Sequence, residues 1–369
     1  MKKKLFLIAT LLLPFFIGNS QTPQEVTMLY LLPFHLEETN VSYSSLRSSA
    51  EIHQVRPFEM MGFWLGAKMA LQEYAETDKK VNVIIRDAVR DEEALHNILN
   101  DTLLMKNVNM MIGPVYGSLF PVASEYAKNH DITIINPFST RYDFVENNPN
   151  LYKLVPPFMS RPQAIEEHFL SVPQAYNVIL WGDSTTTIEL QAYKYYFNKY
   201  HIKYKEAHTL TLPLEFRKDN LIIALFDRRE RVIHAVHSLI NQEEHYNKII
   251  VVPETWLLLS ELTEDFYNIP ELYFFTNCFV DESRDAVKQF QADYTFFYEA
   301  PALLADYVYQ GYDITRYFID LYFAGFDTEN LQFQPLSYQF QWQRIENGGL
   351  ENIKIRLIRV KGLDLEEVR

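Results

Sequence analysis

Residues 112–140 read "IGPVYGSLFPVASEYAKNHDITIINPFST", and this stretch decides the fold class. An apolar run ends in a Gly-Pro corner, an amphipathic segment follows, and a second apolar run ends in a corner of small and hydroxyl-bearing residues. The spacing predicts a strand, a helix over 118–129 and a second strand, which is the repeat unit of a parallel sheet. In such a sheet the loops after the strands meet at one edge, where ligands bind.

The same alternation continues on both sides of this stretch. Short runs rich in Val, Ile and Leu predict buried strands, and segments with apolar residues at helical spacing predict helices. The predicted strands are 26–33, 81–86, 108–112, 132–136, 176–181, 221–226, 248–252 and 272–277. The predicted helices are 58–74, 92–105, 118–129, 188–200, 231–242 and 256–262, followed by a long helical region over 282–323. Two α/β halves in succession predict two Rossmann-like lobes with parallel sheets.

The connections between the halves predict a clamshell. The segment "LVPPFMSRP" at 154–162 carries three prolines, which interrupt both periodicities, so it is expected to be the first connection. Near the end, two alternating segments flank "ENGG" at 346–349 and predict an antiparallel hairpin. The chain therefore crosses between the lobes several times. We predict a first lobe of 21–156 plus 282–335 and a second lobe of 157–281 plus 336–369.

The N-terminal segment "MKKKLFLIATLLLPFFIGNSQ" has a basic start, an apolar stretch and small residues near its end. This pattern predicts a secretory signal peptide over 1–20. The formal net charge is −14, and cleavage after Ser20 would remove three lysines, giving −14 − 3 = −17. So acidic a chain is expected to be repelled by nucleic acids and by anionic lipid surfaces.

Cysteine usage, together with the predicted signal peptide, indicates an exported protein without a lipid anchor. The single cysteine, Cys278, lies in an apolar segment and is expected to be buried. It excludes an intramolecular disulfide and a cysteine metal site, and no cysteine follows the signal peptide to carry a lipid. No second long apolar segment predicts a membrane span.

The corner at 113–118 lacks the sequence motifs of nucleotide-binding loops and of catalytic nucleophiles. Gly113 and Gly117 lie four apart with no lysine after them, the third glycine of a dinucleotide fingerprint is missing, and Gly-x-Ser-x-Gly is absent. What remains is a loop whose backbone N–H groups, at a helix start capped by Gly117 or Ser118, can receive a carboxylate. Alternatively, Ser118 only caps its own helix. Ser139 and Thr140 present hydroxyls at the neighbouring corner.

Enzyme and metal constellations are weak in this sequence. His234 and His237 share a helical face, but no third ligand lies nearby, and no pair of carboxylates has positioned partners. We therefore expect no catalysis, no metal and no cofactor. Trp181 and Trp256 follow or end predicted strands, and for each of them stacking on a ligand and packing in the core remain open.

Several separated segments resemble type I periplasmic-binding proteins of the branched-chain amino-acid kind, a family that also supplies receptor ligand-binding domains. They are the stretch at 112–140, "VVPETW" at 251–256, "LLADYVYQGYDITRYFIDLYFAG" at 303–325 and "FQWQRIENGGLENIKIRLIRV" at 340–360. "LLPF" and "GFWLGAKMAL" look closest to a subgroup often fused to peptidoglycan-binding LysM modules, for which this chain has no room. The resemblance implies a clamshell that binds a solute between its lobes.

The resemblance also implies roles for individual residues. First-lobe donors, here Ser118, Ser139 and Thr140, would meet a ligand carboxylate, and a second-lobe acid, Asp183 or Glu254, would receive an ammonium group. Bulky residues stand where amino-acid binders of the family carry small ones, and they either fill or reshape the pocket. The candidate ligand-binding set is Tyr116, Gly117, Ser118, Phe138, Ser139, Thr140, Asp183, Glu254 and Trp256.

Three functions follow from this sequence. The leading hypothesis is an exported, non-catalytic solute-binding protein that closes on a small polar ligand such as an amino acid, with an ABC permease or an envelope protein as partner. The alternative keeps the fold but makes the protein a ligand-free envelope scaffold that contacts a protein or peptidoglycan. A hydrolase is disfavoured, because no nucleophile, base and orienting group are found together.

Overall fold

The computed structural model describes residues 25–36, 60–171, 176–182, 187–241, 245–266, 268–269, 271–328, 331–362 and 364–368. The predicted signal peptide and Asp183 lie outside the described residues. Within them the chain forms two seven-stranded sheets with helices packed on their faces. The predicted α/β fold with two lobes is confirmed.

Strands β1 to β5, β11 and β12 form the first sheet, in the order β11-β12-β5-β4-β3-β1-β2. They are Glu25–Leu32, Lys80–Asp87, Met110–Ile112, Thr133–Asn136, Leu151–Lys153, Trp342–Arg344 and Leu350–Asn352. All neighbouring strands of this sheet are parallel except the β11–β12 pair. Apolar runs such as β1, buried over seven of its eight residues, fit a sheet covered on both faces.

Strands β6 to β10, β13 and β14 form the second sheet, in the order β14-β13-β10-β9-β8-β6-β7. They are Asn177–Trp181, Lys205–Ala207, Asp219–Ala224, Asn247–Pro253, Leu272–Thr276, Arg356–Lys361 and Asp364–Glu367. The first five run parallel, and the last two add an antiparallel hairpin to β10. The carboxyl ends of the parallel strands, and the loops that follow them, therefore gather at one edge of each sheet.

Ten α-helices lie in the described residues. Helices α1 to α10 are Met61–Gln72, Glu92–Asn100, Thr102–Met105, Phe120–Asn129, Ser160–Ile165, Ile188–Lys199, Arg229–Asn241, Thr263–Phe266, Asp285–Tyr298 and Val308–Phe323. The predicted helix over 256–262 is wrong, because this segment forms the short 3-10 turns Glu254–Leu258 and Ser260–Leu262. Helix α4 begins after Leu119 without a side-chain cap, so the interpretation of Ser118 as its cap is also wrong.

The chain passes between the sheets at three places in the described residues: 154–159, 277–284 and 353–355. The first overlaps the proline-rich segment 154–162, and the second contains the position 281/282 at which the sequence suggested a change of lobe. The third lies later than predicted, because the hairpin around "ENGG" pairs with β5 in the first sheet rather than joining the second lobe. The hairpin itself is confirmed. Its alternating pattern specifies a strand pair but not the sheet edge that receives it. In the structure a buried ion pair between Lys153 and Glu351 joins the hairpin to β5.

Helices α1 and α10 cross with their backbones in close contact. A methyl group on Gly66 would lie 1.9 Å from the carbonyl oxygen of Val308, and one on Gly311 would lie 1.9 Å from that of Phe63. No side chain longer than hydrogen fits at these two positions unless the helices separate. Gly66 of "GFWLGAKMAL" and Gly311 of "QGYD" thus allow the backbones of α1 and α10 to come into contact.

We expect Gly311→Ala to lower the free energy of unfolding by about 2 kcal/mol, although alanine ordinarily favours a helix by about 1 kcal/mol over glycine. The reversed sign follows from the backbone collision with Phe63. Urea denaturation followed by circular dichroism measures it. Gly117→Ala is the matched control, because its added methyl would meet only the Phe144 ring, at 3.8 Å. Equal effects of the two substitutions would contradict the close-packing explanation.

Candidate functional site

The corners after β3 and β4 lie side by side at the edge of the first sheet. The backbone N–H of Gly113 donates a hydrogen bond to the carbonyl of Ile135 at 3.0 Å. Gly113 has a φ of +88°, and a side chain there would lie 2.5 Å from the carbonyl oxygen of Leu31. Glycine is therefore the residue that fits at this position, between β1 and β4. The loops 114–119 and 137–141 start from the adjacent parallel strands β3 and β4, as predicted.

Tyr116 is held by groups from two other strand ends. Its hydroxyl shares a hydrogen bond of 2.7 Å with Nε2 of His35, and the Arg90 guanidinium carbon lies 4.5 Å from the centre of its ring. The carboxylate of Asp87 accepts hydrogen bonds from the three backbone N–H groups of residues 34–36, at 2.8 to 3.1 Å. Asp87 therefore fixes the loop that carries His35, and His35 fixes the tyrosine.

Phe138 packs against aromatic side chains of the α1–α10 layer. Its half-buried ring lies 5.8 Å from the Phe63 ring and 4.9 Å from the Tyr307 ring, measured between centres. The adjacent Ser139 uses its backbone N–H on Asn136 Oδ1 at 2.8 Å, and its hydroxyl oxygen accepts from the N–H of Arg141 at 3.2 Å. The backbone donor of Ser139 is thus already engaged, and its hydroxyl proton is the group left for a ligand.

Among the remaining first-lobe candidates, Ser118 and Thr140 are exposed and Gly117 is half-buried. Their loops follow adjacent parallel strands, so the first-lobe part of the candidate set gathers along one edge.

Glu254 follows β9 in the second lobe and belongs to a small charged cluster. Arg161, the second residue of α5, forms an ion pair with Glu189 in the first turn of α6. Burial raises the pKa of Glu254, while the Thr276 hydroxyl and the positive charge of Arg161 act in the opposite direction. Glu254 nevertheless keeps solvent-exposed surface. Crowding by protein together with access to water is typical of a side chain in a cleft.

Both candidate tryptophans lie in the core of the second lobe. Trp256 is fully buried, and its Nε1–H donates to the carbonyl of Phe226 at 2.7 Å. Trp181 is equally buried and donates to the carbonyl of Thr209 at 2.8 Å. The prediction that Trp256 contacts a ligand is therefore wrong. A large apolar ring with a satisfied N–H is most stable away from water, and the 3-10 turn after β9 points it inward.

The two lobes join in a hydrogen-bonded hinge next to these edges. Cys278 pairs with Tyr338 in an antiparallel bridge, and the N–H of Phe279 donates to the carbonyl of Ser337 at 2.9 Å. Nη1 of Arg356 donates to the carbonyls of Phe279 and Ser337, at 2.7 and 2.9 Å. Burial raises the pKa of the Cys278 thiol, so this cysteine stays neutral as expected for a packing residue.

Sequence reasoning did not single out Arg161, Glu189, Arg90 or Tyr307. Arg161 lies next to Pro162 in the first connection, and a charged residue beside a predicted hinge could have been considered as a candidate for the site between the lobes. Its pairing with Glu189 brings together residues 28 apart in sequence, and no local pattern indicates that contact.

Metal and membrane features are absent from the part of the chain that the structure describes. No three His, Cys, Asp or Glu side chains group there as metal ligands. His237 lies 3.7 Å from Asp265 on an exposed helix face, in accord with a solvated surface. None of the described helices combines the length and the apolar character that crossing a membrane requires.

Neither a protein-family model nor a curated protein matches this chain. Solved structures do match it. A putative branched-chain amino acid ABC transporter protein from Rhodospirillum rubrum superposes with a TM-score of 0.67 at 11% identity, over 93% of this chain and 100% of the other. The fold is that of the type I periplasmic-binding proteins.

Two further structures with this fold contain ligands. The ABC transporter substrate-binding protein from Desulfitobacterium hafniense in complex with Leu has a TM-score of 0.58 at 14% identity, over 93% of this chain and 100% of the other. The solute-binding protein of an ABC transporter from R. palustris in complex with benzoate has a TM-score of 0.50 at 11% identity, over 93% and 95%. At these identities the likeness concerns the fold.

Proposed function

We propose that this protein is an exported, non-catalytic binding protein whose two lobes close on a small ligand that carries both an ammonium and a carboxylate group, such as an amino acid. The observation that carries the proposal is the charged cluster of Arg161, Glu189 and Glu254 at the second-lobe edge. Two carboxylates and one guanidinium leave a formal charge of −1, which suits a ligand cation.

The first-lobe edge supplies the complementary groups. Arg90 lies over the Tyr116 ring, and the hydroxyl groups of Ser118, Ser139 and Thr140 follow the adjacent strands. A guanidinium and hydroxyl donors are suited to a carboxylate. Asp183, which follows β6, is proposed as a further acid of the second-lobe wall. Solved proteins of this fold that hold Leu or benzoate support a small acid as ligand.

Closure would come from the hinge. A ligand that contacts both edges binds the closed arrangement more tightly than the open one and so shifts the equilibrium between them. We further propose that the chain is exported to the periplasm by the segment 1–20 and delivers its ligand to an ABC permease or to an envelope protein.

Glu254→Gln is expected to weaken amino-acid binding by about tenfold to one hundredfold, because it removes the charge that meets the ammonium. The test is a thermal-shift screen of the mature protein against amino acids and small organic acids, followed by calorimetry on the best ligand. Glu230→Gln, an exposed acid on α7 of the same lobe, is the control and should leave affinity unchanged. A silent screen, or equal losses in both variants, would contradict the proposal.

Ligand affinity should also fall on acidification in the wild type. The pKa of Glu254 is raised above its ordinary value near 4.5, so this carboxylate becomes protonated at a higher pH than a solvated glutamate. Affinity is therefore full above the raised pKa and is lost as the pH falls through it. Calorimetry from pH 8 to pH 5 in wild type and Glu254→Gln separates this residue from other groups. A wild-type profile that the variant reproduces would exclude Glu254 as the titrating group.

One observation favours the alternative function. Phe138 and Tyr116 are already engaged by neighbouring side chains at the edge where a ligand would enter. A scaffold that contacts an envelope protein or peptidoglycan needs no open pocket, and the resemblance to the subgroup often fused to LysM modules fits this second proposal. Binding of purified peptidoglycan fragments in a pull-down, together with a silent small-molecule screen, would favour the scaffold.

A further inference from the structure

A cavity lies beside the hinge, apart from the candidate site. It has a volume of about 370 Å³ and is lined from the second and third crossings, the turn Glu166–Leu170, and strands β13 and β14. Its charged and titratable lining residues are His168, Asp281, Arg284, Lys354, Arg356 and Glu367. None of the candidate ligand-binding residues in the described chain lines it.

The lining carries more positive than negative charge in a strongly acidic protein. Three cations face two carboxylates, which gives a formal charge of +1 with His168 neutral, whereas the whole chain carries −14. Glu367 is already committed, because it accepts hydrogen bonds from Nε and Nη2 of Arg356 at 2.8 and 2.6 Å. This pair neutralises itself, so the surplus belongs to the other side chains.

Arg284 and Lys354 provide that surplus. Nη1 of Arg284 donates to the backbone carbonyls of Pro335 and Leu336, at 3.0 and 3.2 Å, and these neutral acceptors do not cancel its charge. Asp281 accepts hydrogen bonds from the backbone and hydroxyl of Ser283, at 3.0 and 2.5 Å. Across the described residues no ion pair joins a carboxylate to Arg284 or Lys354.

His168 lines the same cavity and lies close to Lys354. Burial lowers its pKa, and the charge of Lys354 lowers it further, while Glu167 and Glu367 act in the opposite direction. A neutral imidazole keeps one N–H to donate. The cavity thus combines a guanidinium, an ammonium and a ring N–H, the donor types that bind phosphate, sulfate and carboxylate groups.

We propose that the hinge cavity binds a small oxyanion through Arg284, Lys354 and His168. The volume accommodates inorganic phosphate or sulfate with water, and also a small organic phosphate or polycarboxylate. Because residues of two crossings line the cavity, a bound anion holds these segments together and stabilises the folded chain. This site is independent of the ligand proposed for the cleft.

The test is calorimetry and thermal denaturation of the mature protein, without amino acid, in phosphate, sulfate and citrate against sodium chloride of equal ionic strength. We expect saturable binding of at least one oxyanion, accompanied by a rise in the melting temperature. Comparison of the inorganic ions with citrate distinguishes a free inorganic anion from an organic one.

Lys354→Gln and Arg284→Gln should each weaken this binding by about tenfold, since each removes one charge-assisted contact. Lys288→Gln is the matched control, because Lys288 is an exposed cation one turn beyond Arg284 that does not line the cavity. Because Arg284 also donates hydrogen bonds to two backbone carbonyls, Arg284→Gln could lose binding through misfolding. Lys354→Gln tests the proposal without removing those hydrogen bonds. The same response in chloride, or unchanged binding in Lys354→Gln, would overturn the proposal. Either result leaves the amino-acid proposal intact.

Discussion

Asp313→Ala is expected to lower the free energy of unfolding by about 4 kcal/mol or more. The Asp313 carboxylate is fully buried in α10 and accepts four hydrogen bonds: from the backbone N–H groups of Leu336, Ser337 and Tyr338, at 2.7, 2.7 and 3.0 Å, and from the Ser337 hydroxyl at 2.6 Å. Each buried donor left without an acceptor costs about 1–3 kcal/mol. Urea denaturation followed by circular dichroism measures the loss.

Two further variants grade this effect. Ser337→Ala removes a single donor and should cost about 1 kcal/mol. Asp285→Ala removes an exposed carboxylate from the start of α9 and should stay within about 0.5 kcal/mol of the wild type. If Asp313→Ala proved no worse than Ser337→Ala, the four hydrogen bonds would not anchor the hinge segment 336–338 as described.

Lys153→Met is expected to lower the free energy of unfolding by about 3–5 kcal/mol. The Lys153 side chain is fully buried, and its Nζ donates to Glu351 Oε1 at 2.8 Å and to the carbonyl of Val155 at 2.5 Å. Methionine keeps the volume but leaves the buried carboxylate of Glu351 without its counter-ion. The measurement is again urea denaturation followed by circular dichroism.

The double substitution Lys153→Met with Glu351→Leu tests the reason for this loss. Because it removes both charges, it should recover at least half of the stability lost in the single variant. Lys80→Met, which breaks the exposed pair with Glu25, is the matched control and should cost less than about 1 kcal/mol. A double variant as unstable as the single one would show that packing, rather than the unpaired charge, causes the loss.

The sequence predicted the strands of both parallel sheets well, because a strand buried on both faces must be apolar along its length. It missed β5 (LYK) and β7 (KEA), because these short strands contain charged residues and do not form an apolar run. It also joined α9 and α10 into one helical region, since the intervening segment 299–307 has no strong breaker apart from Pro301.

The candidate site was predicted less completely than the fold. Strand ends predicted that Tyr116, Phe138, Ser139 and Glu254 follow strands at the sheet edges, because the edge of a parallel sheet follows from strand order. Trp256 was assigned to this edge for the same reason, yet the turn after β9 buries it. Position relative to a strand end specifies which residues are near the edge, but not which way a side chain points.

The sequence by itself determined the alternation of strands and helices, the two halves and the loops that end their strands, since these features depend on apolar periodicity along the chain. Only the tertiary structure decided which sheet receives the terminal hairpin, which charges meet Arg161, and that α1 and α10 touch through their glycines. Those contacts join residues far apart in sequence. Their energies depend on burial and on interatomic distance, which no local pattern encodes.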